Sequence, residues 1–330
     1  MREMYMDLLH RPRRLRATAA LRDMVQETRV HPANLIYPLF VEEEIEEPVG
    51  ISSMPGIVRW PEKMLDKAMK EAAAAGVRHV LLFGVSHHKD HCGSDSLKAD
   101  GLLARMIKRA KDAAPEVTVI ADNCFCEYTD HGHCGPVEAS GVVPNDVTLA
   151  NLAQQAVVCA TAGADMVAPS AMMDGQIAAM REALDGAGFS QLPIMAYASK
   201  MASACYGPFR AAAGCELKGD RKTYQMNPAN LREALWEAEL DDAEGADIIM
   251  VKPGMMYLDI LAQLKDVTRK PLAVYQVSGE YAMIKFAAAA GAIDEQRIVL
   301  ESLLAFRRAG ATSIITYFAP EAIRWLGESA

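Results

Sequence analysis

The sequence predicts an α/β fold, a (β/α)8 barrel carrying an extended N-terminal arm. Three observations lead there. Eight short apolar runs alternate with longer helical patterns, a glycine recurs where each of several helices gives way to the next run, and no Gly-rich phosphate loop follows the first run. A chain of 330 residues that is 51% hydrophobic can bury a large core, enough for one such barrel or for two ordinary domains.

The runs are NLIYPLFV (34–41), HVLLFGV (79–85), VTVIAD (117–122), DMVAPS (165–170), PIMAYAS (193–199), DIIMV (247–251), PLAVYQV (271–277) and SIITYF (313–318). They are nearly continuous in apolar character rather than alternating. That is the pattern of parallel strands covered on both faces. Between them stand EKMLDKAMKEAAAAG, NDVTLANLAQQAVVCATAG and NPANLREALWEAELDDAEG, which repeat with helical spacing. Asn227 and Pro228 read as an N-cap and first-turn proline, and Gly76, Gly163, Gly245 and Gly310 as helix ends. The expected domains are an arm over 1–33 and a catalytic barrel over 34–330, with a long loop over about 200–227.

Charge and cysteine content exclude some partners. Lys plus Arg number 34 against 43 Asp plus Glu, so a net charge of −9 repels a phosphate backbone and nucleic acid is not an expected partner. No run approaches the roughly 18 apolar residues that span a bilayer, so no membrane association is expected. Seven cysteines without a secretion signal point to a reducing compartment, the cytoplasm. RPRRLR (11–16) lacks the apolar segment of a targeting signal and reads either as a docking arm or as a frayed basic tail. Cys92, Cys159, Cys205 and Cys215 stand apart in sequence, and Cys159 has the setting of a small buried hydrophobe.

In such a barrel the chemistry sits at the C-terminal ends of the strands. Lys200 follows the fifth run and Lys252 the sixth. Either alone reads as a surface residue. Side by side at one mouth, each charge together with partial burial lowers the other's pKa, and a neutral amine is what condenses with a ketone. DNCFCEYTDHGHCG (122–135) follows the third run and aims Cys124, Cys126 and Cys134 at the same mouth. Cys124 and Cys126 are too close in sequence for an unstrained disulfide, so a metal is the better reading, and zinc is the metal that suits thiolates. His131 or His133 could complete a closed site, and spacing alone leaves that open. The segment from Lys200 to Asn227 reads as a glycine-hinged lid bearing Arg210 and Arg221 as carboxylate clamps. Ser278 and Tyr317 add hydroxyls at two further strand ends.

DNCFCEYTDHGHCG, YASKMASACYGPFR, GDRKTYQ, GADIIMVKPGMMYLDI, YQVSGEYAMIKFAAAAGA and ITYFAP together closely resemble the porphobilinogen synthase, or 5-aminolaevulinate dehydratase, family, from about residue 10 to the C-terminus. The resemblance implies a homo-octamer whose arms wrap neighbours. It implies asymmetric condensation of two 5-aminolaevulinate molecules to porphobilinogen, with loss of two waters, in tetrapyrrole (haem) biosynthesis. Lys252 matches the principal Schiff-base lysine, on the propionyl-side substrate, and Lys200 the lysine that engages the acetyl-side substrate. Arg210 and Arg221 match the clamp of the acetyl-side carboxylate, and Ser278 and Tyr317 that of the propionyl-side carboxylate. Asp122 and Gln225 fall at positions associated with the pocket. Cys124, Cys126 and Cys134 match the zinc ligands of the zinc-type subgroup, and Glu237 an allosteric magnesium ligand near a subunit interface. Met201 and Cys205 depart from the bulky aromatics common beside the second lysine.

Two other functions share parts of this pattern. A class I aldolase acting on another keto compound would use a barrel and one Schiff-base lysine without needing the thiol loop. A zinc-binding oligomer could use the pocket as a ligand sensor.

Overall fold

The computed structural model describes residues 9–215 and 217–328. Eight of its strands coincide with the eight apolar runs: β1 (Leu35–Glu42), β4 (His79–Val85), β5 (Thr118–Asn123), β6 (Met166–Pro169), β7 (Met195–Lys200), β8 (Ile248–Lys252), β9 (Leu272–Gln276) and β10 (Ser313–Thr316). All eight pair in parallel, in the order β6-β5-β4-β1-β10-β9-β8-β7. A single parallel bridge between Val167 and Ile194 brings β6 onto β7, leaving the barrel nearly closed. A small antiparallel pair, β2 (Val49–Gly50) with β3 (Val58–Pro61), lies between β1 and the first barrel helix, and β3 also extends β1. It is too short to show a periodic signal in sequence.

The helices are α1 (Ala19–Met24), α2 (Leu65–Ala74), α3 (Leu102–Ala113), α4 (Asn145–Thr161), α5 (Gln176–Gly186), α6 (Gly207–Ala212), α7 (Leu231–Ala243), α8 (Leu258–Val267), α9 (Ser278–Ala289), α10 (Glu295–Ala309) and α11 (Ala319–Glu328). Each barrel helix lays an apolar stripe on the strands. In α3 this is Leu102, Leu103, Met106, Ile107 and Ala110; in α10 it is Val299, Leu303 and Phe306. The predicted helix-ending glycines all have positive φ, from 86° at Gly76 to 124° at Gly310, a conformation that turns the chain from helix to strand and that side chains with a Cβ resist.

Three expectations change in detail. Lys200 and Lys252 are the last residues of β7 and β8 rather than the residues after them, while Tyr317 lies one residue beyond β10. Asn227 does not cap α7. Its Oδ1 accepts from the Ala229 N–H at 3.0 Å, closing a local turn, and the helix starts three residues later behind Asn230. The long segment before α7 is not a structureless loop, since it contains α6 and a 3-10 turn at Ala204–Tyr206.

Of the arm, residues 1–8 lie outside the described residues. The remainder carries a 3-10 turn at Pro12–Arg16 and α1, neither with a buried residue, and exposes Leu9, Leu15, Met24 and Val25. Among the described residues no helix is long and apolar enough to cross a membrane.

Leu303 is fully buried between α10 and the strands. Leu303→Ala should cost about 2–5 kcal/mol, read as a lower urea midpoint; an unchanged midpoint would place α10 outside the stabilising core.

Candidate active site

Parallel pairing sets Lys200 of β7 opposite Lys252 of β8. In a regular strand Tyr197 and Lys200, three residues apart, would point to opposite faces. The β7–β8 register shifts between Ala196 and Ser199, and this irregularity re-aims the strand end. The Lys200 Nζ therefore stands 5.4 Å from the Tyr197 ring centroid and the Lys252 Nζ 4.9 Å from the same ring. Further rings enclose Lys252, with Tyr275 at 4.3 Å, Phe209 at 5.3 Å and Tyr206 at 5.5 Å. The Lys200 Nζ donates to the Ser170 carbonyl at 2.5 Å.

Both amines are almost wholly buried. Burial, and next the positive charge of Lys200, lower the Lys252 pKa to about 7. The sequence reading expected the charge pair to act with only partial burial; removal from water is instead the larger cause. Asp122 stands close enough to oppose both effects. Its own carboxyl is pushed up to about 7, by burial first and Glu127 second. One Asp122 oxygen accepts from the Ser170 hydroxyl at 3.0 Å, and the other has no hydrogen-bond partner.

A cavity of about 20 Å³ joins Lys200, Lys252, Arg210, Arg221 and Cys126. Arg221 is buried, with Nη2 donating to the Gly132 carbonyl at 2.7 Å and Nε unpartnered; the Nε of Arg210, on α6, is unpartnered too. Buried guanidinium donors without acceptors beside two amines form a receptor for a carboxylate. Ser278 and Tyr317 do not reach this cavity. The Ser278 Oγ accepts from the Phe209 N–H at 2.9 Å and donates to the Cys205 carbonyl at 3.3 Å, while the Tyr317 hydroxyl meets that of Tyr275 at 3.0 Å. Both are buried, and Phe40 stacks against Tyr317 and also touches Phe209, so the two sit in one aromatic wall behind Lys252.

The thiol loop does form a cluster. Cys124, Cys126 and Cys134 are buried with their Sγ atoms within 4.8 Å of one another, and Cys124 lies 3.4 Å from Cys126. Neither histidine joins them. The His133 Nε2–H donates to the Lys218 carbonyl at 2.8 Å and its Nδ1 accepts from the Tyr224 hydroxyl at 3.0 Å. His131 donates to the His91 carbonyl at 3.0 Å and accepts from the His133 N–H at 3.1 Å. Every ring nitrogen is occupied elsewhere, so three soft sulfur donors remain, a set that fits a thiophilic ion with an open position. Burial and the neighbouring Cys126 hold the Cys124 thiol well above its ordinary range, so an ion binding here must displace protons. Cys215 does not stand apart as its position in sequence suggested: the lid folds back and its Sγ meets the Cys126 carbonyl at 3.0 Å.

Gln225 and Glu237 meet at a different place. Together with Asp174 and Glu233 they line a second cavity of about 290 Å³ beside α7. Burial raises the Glu237 pKa, and the charges of Asp174, Glu233 and Glu244 add to it. Their oxygens do not draw together into a ligand cluster, so a hard divalent cation held here would keep most of its waters.

Ser170, Glu127 and the four rings around Lys252 were not singled out from the sequence. Tyr206 and Phe209 lie in YGPFR, so their position between the lysines and the lid arginines was the available signal; nothing local marks Ser170 or Glu127.

A family model described as delta-aminolevulinic acid dehydratase matches residues 9–325. The delta-aminolevulinic acid dehydratase of Escherichia coli (strain K12) is 57% identical over 313 residues, covering 95% of this chain and 96% of that protein. The enzyme of the same name from Mycobacterium tuberculosis (strain H37Rv) is 51% identical over 319 residues, covering 96% and 97%. The crystal structure of the Toxoplasma gondii ME49 enzyme, delta-aminolevulinic acid dehydratase or porphobilinogen synthase in complex with its product porphobilinogen, superposes with a TM-score of 0.96 at 46% identity, covering 99% of this chain and 94% of that one. With two buried lysines at neighbouring strand ends and near-complete coverage by these relatives, the chain belongs to the delta-aminolevulinic acid dehydratase (porphobilinogen synthase) family of lyases.

Proposed function

We propose that the chain condenses two 5-aminolaevulinate molecules into porphobilinogen through imines on Lys252 and Lys200, the step that forms the pyrrole of tetrapyrrole (haem) biosynthesis. The observation that carries this is the pair of buried amines at neighbouring strand ends, one with a pKa of about 7, facing the buried Arg221 and the half-buried Arg210. A neutral Lys252 adds to the ketone of the propionyl-side substrate and expels its oxygen as water. Lys200 engages the ketone of the acetyl-side molecule. One new carbon–carbon and one new carbon–nitrogen bond then close the ring, both ketone oxygens having left as water and both amines being returned.

The other residues bind and orient. Arg210 and Arg221 clamp the acetyl-side carboxylate. Ser278 and Tyr317 receive the propionyl-side carboxylate once Ser278 releases the Phe209 N–H. A cavity of about 20 Å³ has room for little more than a water molecule, so substrate entry requires the lid to move. Cys124, Cys126 and Cys134 would hold zinc, which when bound supplies a Lewis-acid charge at the cavity wall that Cys126 forms. Glu237 would hold the allosteric magnesium, with Asp174 and Glu233 at hand. The exposed apolar residues of the arm, Leu9, Leu15 and Met24, support its packing on a neighbour in a homo-octamer. Seven free thiols support a reducing cytoplasm.

Borohydride added with 5-aminolaevulinate should leave a reduced adduct on Lys252, found by peptide mass spectrometry. Its rate should rise about tenfold from pH 6 to pH 8, because the neutral fraction of an amine with a pKa near 7 grows as pH rises through that value. Lys252→Arg should abolish turnover, since a guanidinium stays protonated; an active variant would refute the imine route.

Arg221→Ala should reduce kcat/KM for porphobilinogen formation by ~1.5–3 kcal/mol, roughly 10- to 150-fold. Adduct formation at Lys252 should be nearly unaffected. Equal loss of both would move Arg221 out of the second substrate's half-site.

Chelation, or Cys126→Ser, should stop pyrrole formation while circular dichroism and assembly persist and the Lys252 adduct still forms. Restored zinc should recover the chelated wild type. Retained turnover in metal-free protein would show that the thiols do not serve the reaction.

A further inference from the structure

Glu280 is a fully buried carboxylate for which the proposed chemistry has no use. It is the third residue of α9, and its Oε2 accepts from the Val277 N–H at 2.8 Å, the bond by which a capping-box glutamate closes the start of its own helix. A cap needs nothing more. Here the carboxylate also reaches across to the turn after β8, accepting from the Met255 N–H at 2.5 Å and the Gly254 N–H at 3.4 Å. That turn begins two residues after Lys252. One side chain thus ties the strand end that carries the reactive amine to the start of the helix that carries Ser278.

The junction has little slack on either side. A Cβ on Gly254 would stand 2.6 Å from the Phe306 ring and 2.9 Å from Val274, and one on Gly279 would stand 2.5 Å from the Cys205 carbonyl oxygen. Backbone packed this closely has only a few positions available. The side chain selects the one in which three N–H groups converge on it; burial pushes its pKa up to about 7, and those N–H bonds oppose the rise.

We infer that Glu280 is a positioning residue for the reaction: it sets where Lys252 and Ser278 stand relative to each other, and so places the ketone and the carboxylate of one substrate molecule together. This rests on the Schiff-base reading above. A 1 Å error in the placement of a nucleophile can cost about 100-fold in rate, so loosening the turn should slow imine formation well beyond what lost stability explains.

The test compares the rate of the borohydride-trapped Lys252 adduct in wild type, Glu280→Gln, Glu280→Asp and Ser302→Ala. Gln keeps one acceptor but presents an NH2 to one of the N–H groups; Asp keeps the carboxyl group and withdraws it by one methylene. Ser302, on α10, accepts from Gln276 at 3.0 Å in the same buried region and bonds neither Glu280 nor the turn directly, its link to Met255 being only the long 3.9 Å contact of the Gln276 Nε2 with the Met255 Sδ, so its variant gauges general loosening. Glu280→Gln should trap at least tenfold more slowly and lower kcat similarly, with circular dichroism unchanged. Glu280→Asp should fall between it and wild type and carries the test if the Gln variant does not fold. Ser302→Ala should lower the melting temperature yet trap at the wild-type rate. Wild-type trapping rates in both Glu280 variants, or equal slowing in Ser302→Ala, would overturn the inference alone. No Lys252 adduct in the wild-type protein would overturn the Schiff-base reading and this inference with it.

Discussion

Two amines must be kept out of water side by side, although water is where each is most stable as a cation. The pairing of β7 with β8 imposes this arrangement, because it sets Lys200 directly across from Lys252 at the mouth of the barrel. Much of the surrounding architecture answers to it. Four aromatic rings exclude water from Lys252 while offering their faces to its charge, the Ser170 carbonyl accepts from Lys200, and Asp122 lies near enough to offset part of the mutual repulsion. The outcome for Lys252 is an amine that is neutral about half of the time near pH 7, which is the state that can attack a ketone.

The lid and the thiol loop form a second unit built over that pair. Arg221 reaches the Gly132 carbonyl, the Lys218 carbonyl receives the His133 ring, the Lys218 N–H returns to the His131 carbonyl, and Cys215 meets the Cys126 carbonyl. Lys89, from the loop after β4, adds a bond to the Gly214 carbonyl. Each such bond contributes about 0.5–1.5 kcal/mol net, so the lid is held by several modest contacts that can be released in turn. The histidines of the loop stitch it to the lid and to His91 and stand outside the thiol cluster. That leaves three sulfurs on one face and connects the thiol loop to the lid.

Much of this is legible in the sequence. The eight strands follow from apolar runs of strand length, and the helix ends from glycines whose φ proves positive. Lys200, Lys252, the two arginines and the thiol trio could be assembled at one mouth because a parallel barrel puts every strand's C-terminal end on the same face. The part that was not legible depends on contacts between segments far apart in the chain. Cys215 looked isolated because 89 residues separate it from Cys126. Asn227 looked like a helix cap, because an Asx turn and an N-cap draw on the same residue type. The family resemblance grouped Ser278 and Tyr317, yet their hydroxyls are committed to protein partners in this state of the site.

By itself the sequence determined the local choices: which stretches become strand or helix, where most of them end, and which amines, guanidinium groups and thiols stand near the strand ends. Those choices depend on periodicity, capping and residue chemistry within a few positions. Only the tertiary structure decided the strand irregularity that turns Lys200 onto the face of Tyr197, the degree of burial that lowers the Lys252 pKa, and the withdrawal of both imidazoles from the thiol cluster. The physical reason is that desolvation, ring packing and competition for hydrogen bonds are set by neighbours in space, and these come from every part of the chain once the barrel has closed.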